Sequence, residues 1–340
     1  MVKLTFGMSE IKEVPIESRP RLIPSLTMGF NTVASHIYLI LPPLILDLFL
    51  WLGPHLRLYK LLKPGVDEAF NLLLGFASPT QLDGLKSSQQ LFSEFLQNFN
   101  LFNTLSTLPI GLPSLMSVIN PSDSPLADLQ VSLQLGSTGF AVGIWLLCVL
   151  VGIAIGSLYF GAISRATDTK PNRFQSSAAL IQAGQAILYT IILVVLLLML
   201  IIPAIAISSV LALISPFLGQ VALVGAGMLL IWMMVPLIFT PLGIFANKQN
   251  AVNSIMTTTQ LVRGFMPGAG WFILVVGMLG FGLDMLWVQP QINSWLMLVG
   301  IAGHAFIYTA IIAAAFTYYR HGISWMERSL RKAALQQTSG

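Results

Sequence analysis

Six stretches of the chain are long and apolar enough for a helix to cross a hydrocarbon layer, which takes about 20 residues. They lie near 33–53, 139–164, 182–214, 218–246, 266–287 and 294–319. The third is long, and Ser215-Pro216 ends it. Few residues separate it from the fourth, so these two are expected to form a tight antiparallel hairpin. The pattern changes in 54–138. There Leu91, Phe92, Phe95, Leu96, Phe99 and Phe102 recur at helical spacing among Gln, Ser, Glu and Asn, which predicts an amphipathic helix with a Phe-rich face. Ser87 and Gln90 have capping-box spacing at its start. Residues 67–76 give a second, weaker helix. Residues 105–125, with Pro109, Pro113, Pro121 and Pro125, read as an apolar loop ordered by contact. These pieces are expected to cap the bundle, or to form a lipid or partner groove. Residues 251–263 predict a short interfacial helix with Val252, Ile255, Met256, Thr259 and Val262 on one face and Gly264 at its end. Residues 24–37 predict a similar surface helix.

Composition fixes the class. Apolar residues make up 55% and charged residues 9%, with mean hydropathy +0.80. Soluble domains carry about 25% charged residues, so this chain cannot cover its surface in water. It reads as an all-α, polytopic membrane bundle. Residues 174–247 contain no Asp, Glu, Lys or Arg, which excludes disorder there. The single cysteine, Cys148, permits no intramolecular disulfide and no thiolate metal cluster.

The net charge is +4 and the pI about 9.3, yet the basic residues sort by membrane side, so no nucleic-acid partner is expected. With six spans, thirteen of the 17 Lys and Arg share one side. They are Lys3, Lys12, Arg19, Arg21, Arg165, Lys170, Arg173, Lys248, Arg263, Arg320, Arg328, Arg331 and Lys332. Arg57, Lys60, Lys63 and Lys86 lie opposite. The positive-inside rule then places both termini in the cytoplasm. The first 32 residues lack the order of a cleaved leader. The expected organisation is a cytoplasmic tail and interfacial helix at 1–32, a first span at 33–53 and an outer loop at 54–138. A five-helix bundle at 139–320 and a basic cytoplasmic tail at 321–340 complete it.

Ionisable residues at membrane depth are the candidate chemistry. Asp47 and Asp284 lie roughly 8–9 Å below the outer ends of the first and fifth spans, at 1.5 Å per residue. At one depth they could share a proton, bind a cation or meet an amine, or simply reach headgroups. His304 lies near mid-membrane and could relay protons or be a neutral, hydrogen-bonded side chain. Trp51, Trp287 and Trp295 mark an outer aromatic belt, and Tyr318 and Tyr319 an inner one. Three glycine pairs four residues apart, Gly139/Gly143, Gly152/Gly156 and Gly264/Gly268, suit close helix packing. Pro42, Pro43, Pro203, Pro236 and Pro241 read as kinks. Gly280-Phe281-Gly282-Leu283-Asp284 has one residue too many for the GxGD motif of intramembrane aspartyl proteases. No zinc pair and no Walker A loop occur. No catalytic residue, cofactor or metal is therefore expected.

The end of the fourth span, a short linker, then Ala251, Ser254 and Leu261-Val262-Arg263-Gly264 before the fifth span form a recognisable run. It resembles the connector of the glycerophosphoryl diester phosphodiesterase membrane-domain-like superfamily, six-span bacterial and archaeal proteins. The chain departs from that pattern in its long outer loop and at Thr258-Thr259. The resemblance implies a six-span fold in a prokaryotic plasma membrane and carries over no catalytic residue. The expected function is a non-catalytic structural, lipid-handling or complex-forming membrane protein. A transporter or permease subunit docked to an ATPase is the alternative, and a lipid-modifying enzyme the third. The Phe92, Phe95, Phe99 and Phe102 face and Arg263 are the expected contact surfaces, for the bilayer, for other subunits or for a second copy. Cysteines placed in 54–138 are expected to react with an impermeant reagent on intact cells, and a cysteine at Arg331 only after lysis. The reverse pattern overturns the topology.

Overall fold

The computed structural model describes residues 19–76, 82–121, 123–168 and 175–338. The expected topology rests in part on Lys3, Lys12, Lys170 and Arg173, which lie outside the described residues. Five helices are long and apolar enough to span a membrane: α6 (Thr138–Ala166), α7 (Ser176–Ile214), α8 (Pro216–Ala246), α10 (Met266–Trp287) and α11 (Met297–Thr338). A bent pair, α1 (Leu22–Ser35) followed by a 3-10 turn (Ile37–Ile40) and α2 (Leu41–Leu52), with 95° between its arms, makes six if it is counted as one span. The protein is a multi-pass helical membrane protein. Helix α11 is its axis: over half of its apolar window is buried, against none for α7.

Several expected boundaries shift. The chain bends at His36 and passes through the 3-10 turn before α2, where Pro42 and Pro43 sit in the first turn, at positions where a missing N–H costs little. Helix α1 is not a surface helix. Ser25, Gly29 and Val33 are buried, and a Cβ on Gly29 would collide with Ala310 and Ala314 of α11. The basic tail is no separate unit either, since α11 runs unbroken to Thr338.

The segment 54–138 differs most from expectation. It contains α3 (Tyr59–Phe76) and α4 (Leu82–Asn98), a short α5 (Leu115–Ile119), and two strands, β1 (His55–Arg57) and β2 (Ser132–Gln134), paired in parallel. Helix α4 starts at Leu82, so Ser87 is interior and caps nothing; Ser88 instead donates back to the Gly84 carbonyl at 2.8 Å. The Phe-rich face divides. Phe92 and Phe95 are exposed and form a ladder of rings with Phe70 and Phe99. Phe102 lies beyond the end of α4, with its ring 5.3 Å from Phe49 of α2. Arg57 anchors this layer: its Nη1 donates to the Gln97 carbonyl at 2.7 Å and its Nη2 meets His55 Nδ1 at 3.1 Å. Burial, and then the Arg57 charge, hold the His55 imidazole below its ordinary value.

Residues 105–114 do not cap the bundle; they enter it. Gly152 and Gly156 of α6 receive this segment, because a Cβ at either would strike the backbone of Leu105, Ile110 or Gly111. Those glycines lie about 21 and 27 Å from the start of α6, at 1.5 Å per residue. Irregular backbone at such depth is tolerated only where protein satisfies it. Here Ser106 Oγ donates to the Leu112 carbonyl at 2.8 Å, and Thr107 Oγ1 to that of Ile110 at 3.0 Å. The other glycine pairs behave differently: Gly139, Gly143 and Gly264 have open space where a Cβ would be.

Helices α7 and α8 form the expected hairpin, closed where Gly219 fits against Ala212. Pro203, Pro236 and Pro241 leave both helices continuous. Pro241 cannot donate to Leu237, and the orphaned Leu237 carbonyl accepts Tyr189 Oη at 2.7 Å instead. The connector helix α9 (Ala251–Gly264) is turned from its expected orientation. Ala251, Ser254, Thr258, Leu261 and, of the expected face, Val262 are buried, while Val252 and Met256 are exposed. Ser254 Oγ donates to the Thr240 carbonyl at 2.7 Å, and Gly243 leaves room for it. Beside lipid, small hydrogen-bonding residues pack inward and apolar ones lose nothing by facing out. Gly264 ends α9 without left-handed backbone, and Arg263 is exposed.

Replacing Gly152 or Gly156 with Leu is expected to lower stability by about 1–3 kcal/mol through overpacking. Gly143→Leu should change it by less than about 0.5 kcal/mol. Thermal unfolding of the three variants in one lipid mimetic checks the ordering.

Candidate functional site

The site starts from one buried carboxylate. Asp47, on α2, is fully buried. Its Oδ1 accepts the Ser114 hydroxyl and the Met116 N–H at 3.0 Å, and its Oδ2 accepts the Leu115 N–H at 3.1 Å. These are the cap and first N–H groups of α5, which have no partners within the helix. Ser114 Oγ in turn accepts the Ser117 N–H at 3.0 Å. Asp47 therefore closes the N-terminus of α5 at membrane depth. At the other end Asn120 is left-handed, and its Oδ1 accepts Asn103 Nδ2 at 2.9 Å and the Asn100 N–H at 3.3 Å.

Below α5 lies a cleft of about 530 Å³. One wall is the re-entrant segment, and the others come from α6, α8, α10 and α11. Phe160, Phe239, Leu242, Phe272, Val276 and Ile312 make it largely apolar. On α11 the lining runs from His304 to Ala315, about 16 Å along the helix axis. Polar groups gather at the His304 end. Asp284 Oδ1 lies 2.7 Å from His304 Nδ1, and Tyr308 Oη donates to Asp284 Oδ2 at 2.7 Å. The imidazole stacks on the Tyr308 ring with centroids 4.2 Å apart. Ser114, Ser117, Ser106 and Thr107 also line the cleft.

The three candidate residues thus converge. Asp284 and His304 touch, and Asp47 is near enough to His304 for their charges to interact. Asp47 and Asp284 do not share a ligand. The first holds backbone, and the second, with about a quarter of its side chain exposed, faces the cleft. An aspartate that orients an imidazole through Nδ1 can prepare a general base. Here His304 Nε2 is buried, and among the described residues no side chain hydrogen-bonds it. Among the described residues no cluster of His, Cys, Asp and Glu is placed to hold a metal ion. The arrangement accepts an apolar chain and offers hydrogen bonds at one end.

The aromatic belt reading is corrected. Trp51 is fully buried, and its Nε1 donates to the Ile292 carbonyl at 2.8 Å, tying α2 to the turn between α10 and α11. Trp287 packs on Gly300 and Gly303, beside His304. Tyr318 and Tyr319 are buried, the former stacked on Phe272 at 4.3 Å. Only Trp295 of the five is exposed. Sequence reasoning missed Ser114 and Tyr308. The spacing of Tyr308 from His304, one helical turn, was a usable signal.

No family model matches the chain, and neither the curated proteins nor the solved structures contain a match.

Asp47→Ala is expected to cost about 3 kcal/mol or more, because a hydroxyl and two N–H groups lose their acceptor in a dry site. Asp47→Asn should cost less but remain destabilising, since its amide nitrogen faces a donor. Asp284→Asn should change stability by under about 1 kcal/mol, because the cleft is open beside it. Equal losses for the two asparagine variants in a thermal unfolding assay would overturn this division of roles.

Proposed function

We propose that the protein is a non-catalytic, membrane-embedded lipid-handling protein that takes one extended hydrocarbon chain into the cleft. The observation that carries this reading is the shape and chemistry of that cleft. It is a largely apolar slot at membrane depth: Asp284, His304 and Tyr308 gather at one end, while the Ser106 and Thr107 hydroxyls that also line it are bonded to carbonyls of their own segment. A slot about 16 Å long suits roughly a dozen methylenes, and burying each contributes about 0.8 kcal/mol relative to water. Much of that gain is already present for a lipid in the bilayer, so selection falls to the polar end. There Asp284, His304, Tyr308 and Ser117 can meet the linkage above the chain. Membership of the six-span superfamily, a prokaryotic plasma membrane and cytoplasmic termini belong to the same proposal. The connector α9 and the basic residues on one side support them.

Gly277 lines the cleft and has open space where a Cβ would be. Gly277→Trp is expected to fill the slot while leaving the fold intact. In protein extracted with its surrounding lipid, native mass spectrometry should find one retained amphiphile on the wild type and at least tenfold less on the variant. Equal retention would count against the cleft as the binding site. A stoichiometric ATPase in the same preparation would favour the permease reading.

A further inference from the structure

A second hollow, of about 340 Å³, lies on the outer side of α5. That volume falls within the range of small-molecule sites. Its walls are the last turns of α4, the residues after them, and the outward face of α5. Ser117 and Val118 line both this hollow and the deep cleft, so the two meet across one edge of α5.

The chemistry of the two hollows differs. The outer one presents the carboxamides of Asn98, Asn103 and Asn120 and the carboxylate of Glu94, beside the rings of Phe95 and Phe99. Asn103 is about nine-tenths buried, and its Oδ1 has no hydrogen-bond partner. A buried acceptor left unpaired costs about 1–3 kcal/mol; the atom lies just under the wall of the hollow, and a donor from a ligand reaches it once the side chains covering it shift. Its amide is fixed in place, because Nδ2 donates to Asn120 Oδ1. Among the described residues no Lys or Arg lines the hollow. A phosphate or sulfate would therefore lose its hydration without a cation to replace it. Carboxamide groups hydrogen-bond hydroxyls in both directions. Exposed phenyl rings accept the apolar C–H face of a sugar.

We propose that this hollow holds the uncharged, polyhydroxylated headgroup of an amphiphile whose chain lies in the deep cleft, the molecule crossing α5 at Ser117 and Val118. The ligand class is a glycolipid with no charge on its outer sugar. This proposal rests on the chain-binding reading above, and its test separates the two.

The test uses the full chain in polymer-bounded native discs, prepared without glycoside detergents. Three amphiphiles of equal chain length serve as probes: dodecyl maltoside, dodecylphosphocholine and dodecanoate. Binding is read by native mass spectrometry over a concentration series. Dodecyl maltoside is expected to bind about tenfold more tightly than either other probe, the worth of one or two net hydrogen bonds. Asn103→Leu should abolish that preference while leaving dodecylphosphocholine binding unchanged. Asn98→Ala, at a half-buried position, should reduce the preference severalfold and serves if Asn103→Leu does not fold. Equal affinity of all three probes, with Gly277→Trp abolishing each, would overturn the headgroup site and leave the cleft standing. Failure of every probe to bind would overturn both.

Discussion

A peptide backbone cannot enter hydrocarbon with its N–H groups unpaired, and Asp47 is how this chain meets that constraint. The carboxylate comes from one helix and the donors from a segment nearly 70 residues later. Because Asp47 has no access to water, the pairing tolerates little substitution. It holds α5 at a fixed depth, and α5 in turn holds the irregular stretch that descends between α6 and α11. Gly152 and Gly156 make room for that descent, and the hydroxyls of Ser106 and Thr107 pair the carbonyls that the turn exposes. Without the anchor, residues 105–114 would have to retreat to the surface, and the cleft would lose one wall.

The cleft and the outer hollow are consequences of that one placement. Helix α5 is the roof of the first and the floor of the second. It is pinned at one end by a carboxylate and at the other by a pair of carboxamides. Asp284 then has a different duty from Asp47 although both sit at similar depth. It orients His304 and Tyr308 at the mouth of an apolar slot and keeps partial access to it.

Much of the fold was legible because lipid imposes length and composition on any helix that crosses it. The five spanning helices, the α7–α8 hairpin and the existence of α9 follow from apolar runs and the residues that end them. What resisted reading was inside against outside. In water, hydrophobicity reports burial; beside lipid it does not, so α9 buries Ser254 and Thr258 along with Ala251, Leu261 and Val262, and leaves Val252 and Met256 exposed. Trp51 and Tyr319 were misread for the same reason: aromatic residues near a span end suit either the interface or the core. The meeting of Asp284 with His304 was half legible, since each was conspicuous and only the partner was hidden. The capping of α5 by Asp47 was not, because nothing local in 105–115 announces a helix whose first donors are paired from another span.

The hairpin of α7 and α8 is longer than a membrane is thick. Helix α7 has 39 residues, none of them Asp, Glu, Lys or Arg, and so extends about 58 Å. A hydrocarbon layer is about 30 Å across. Such excess length is accommodated by tilt, by ends that leave the hydrocarbon, or by a locally thicker bilayer. The end of α8 carries Phe239 and Leu242, which form one side of the cleft. One helix of this overlong hairpin is thus also a wall of the slot.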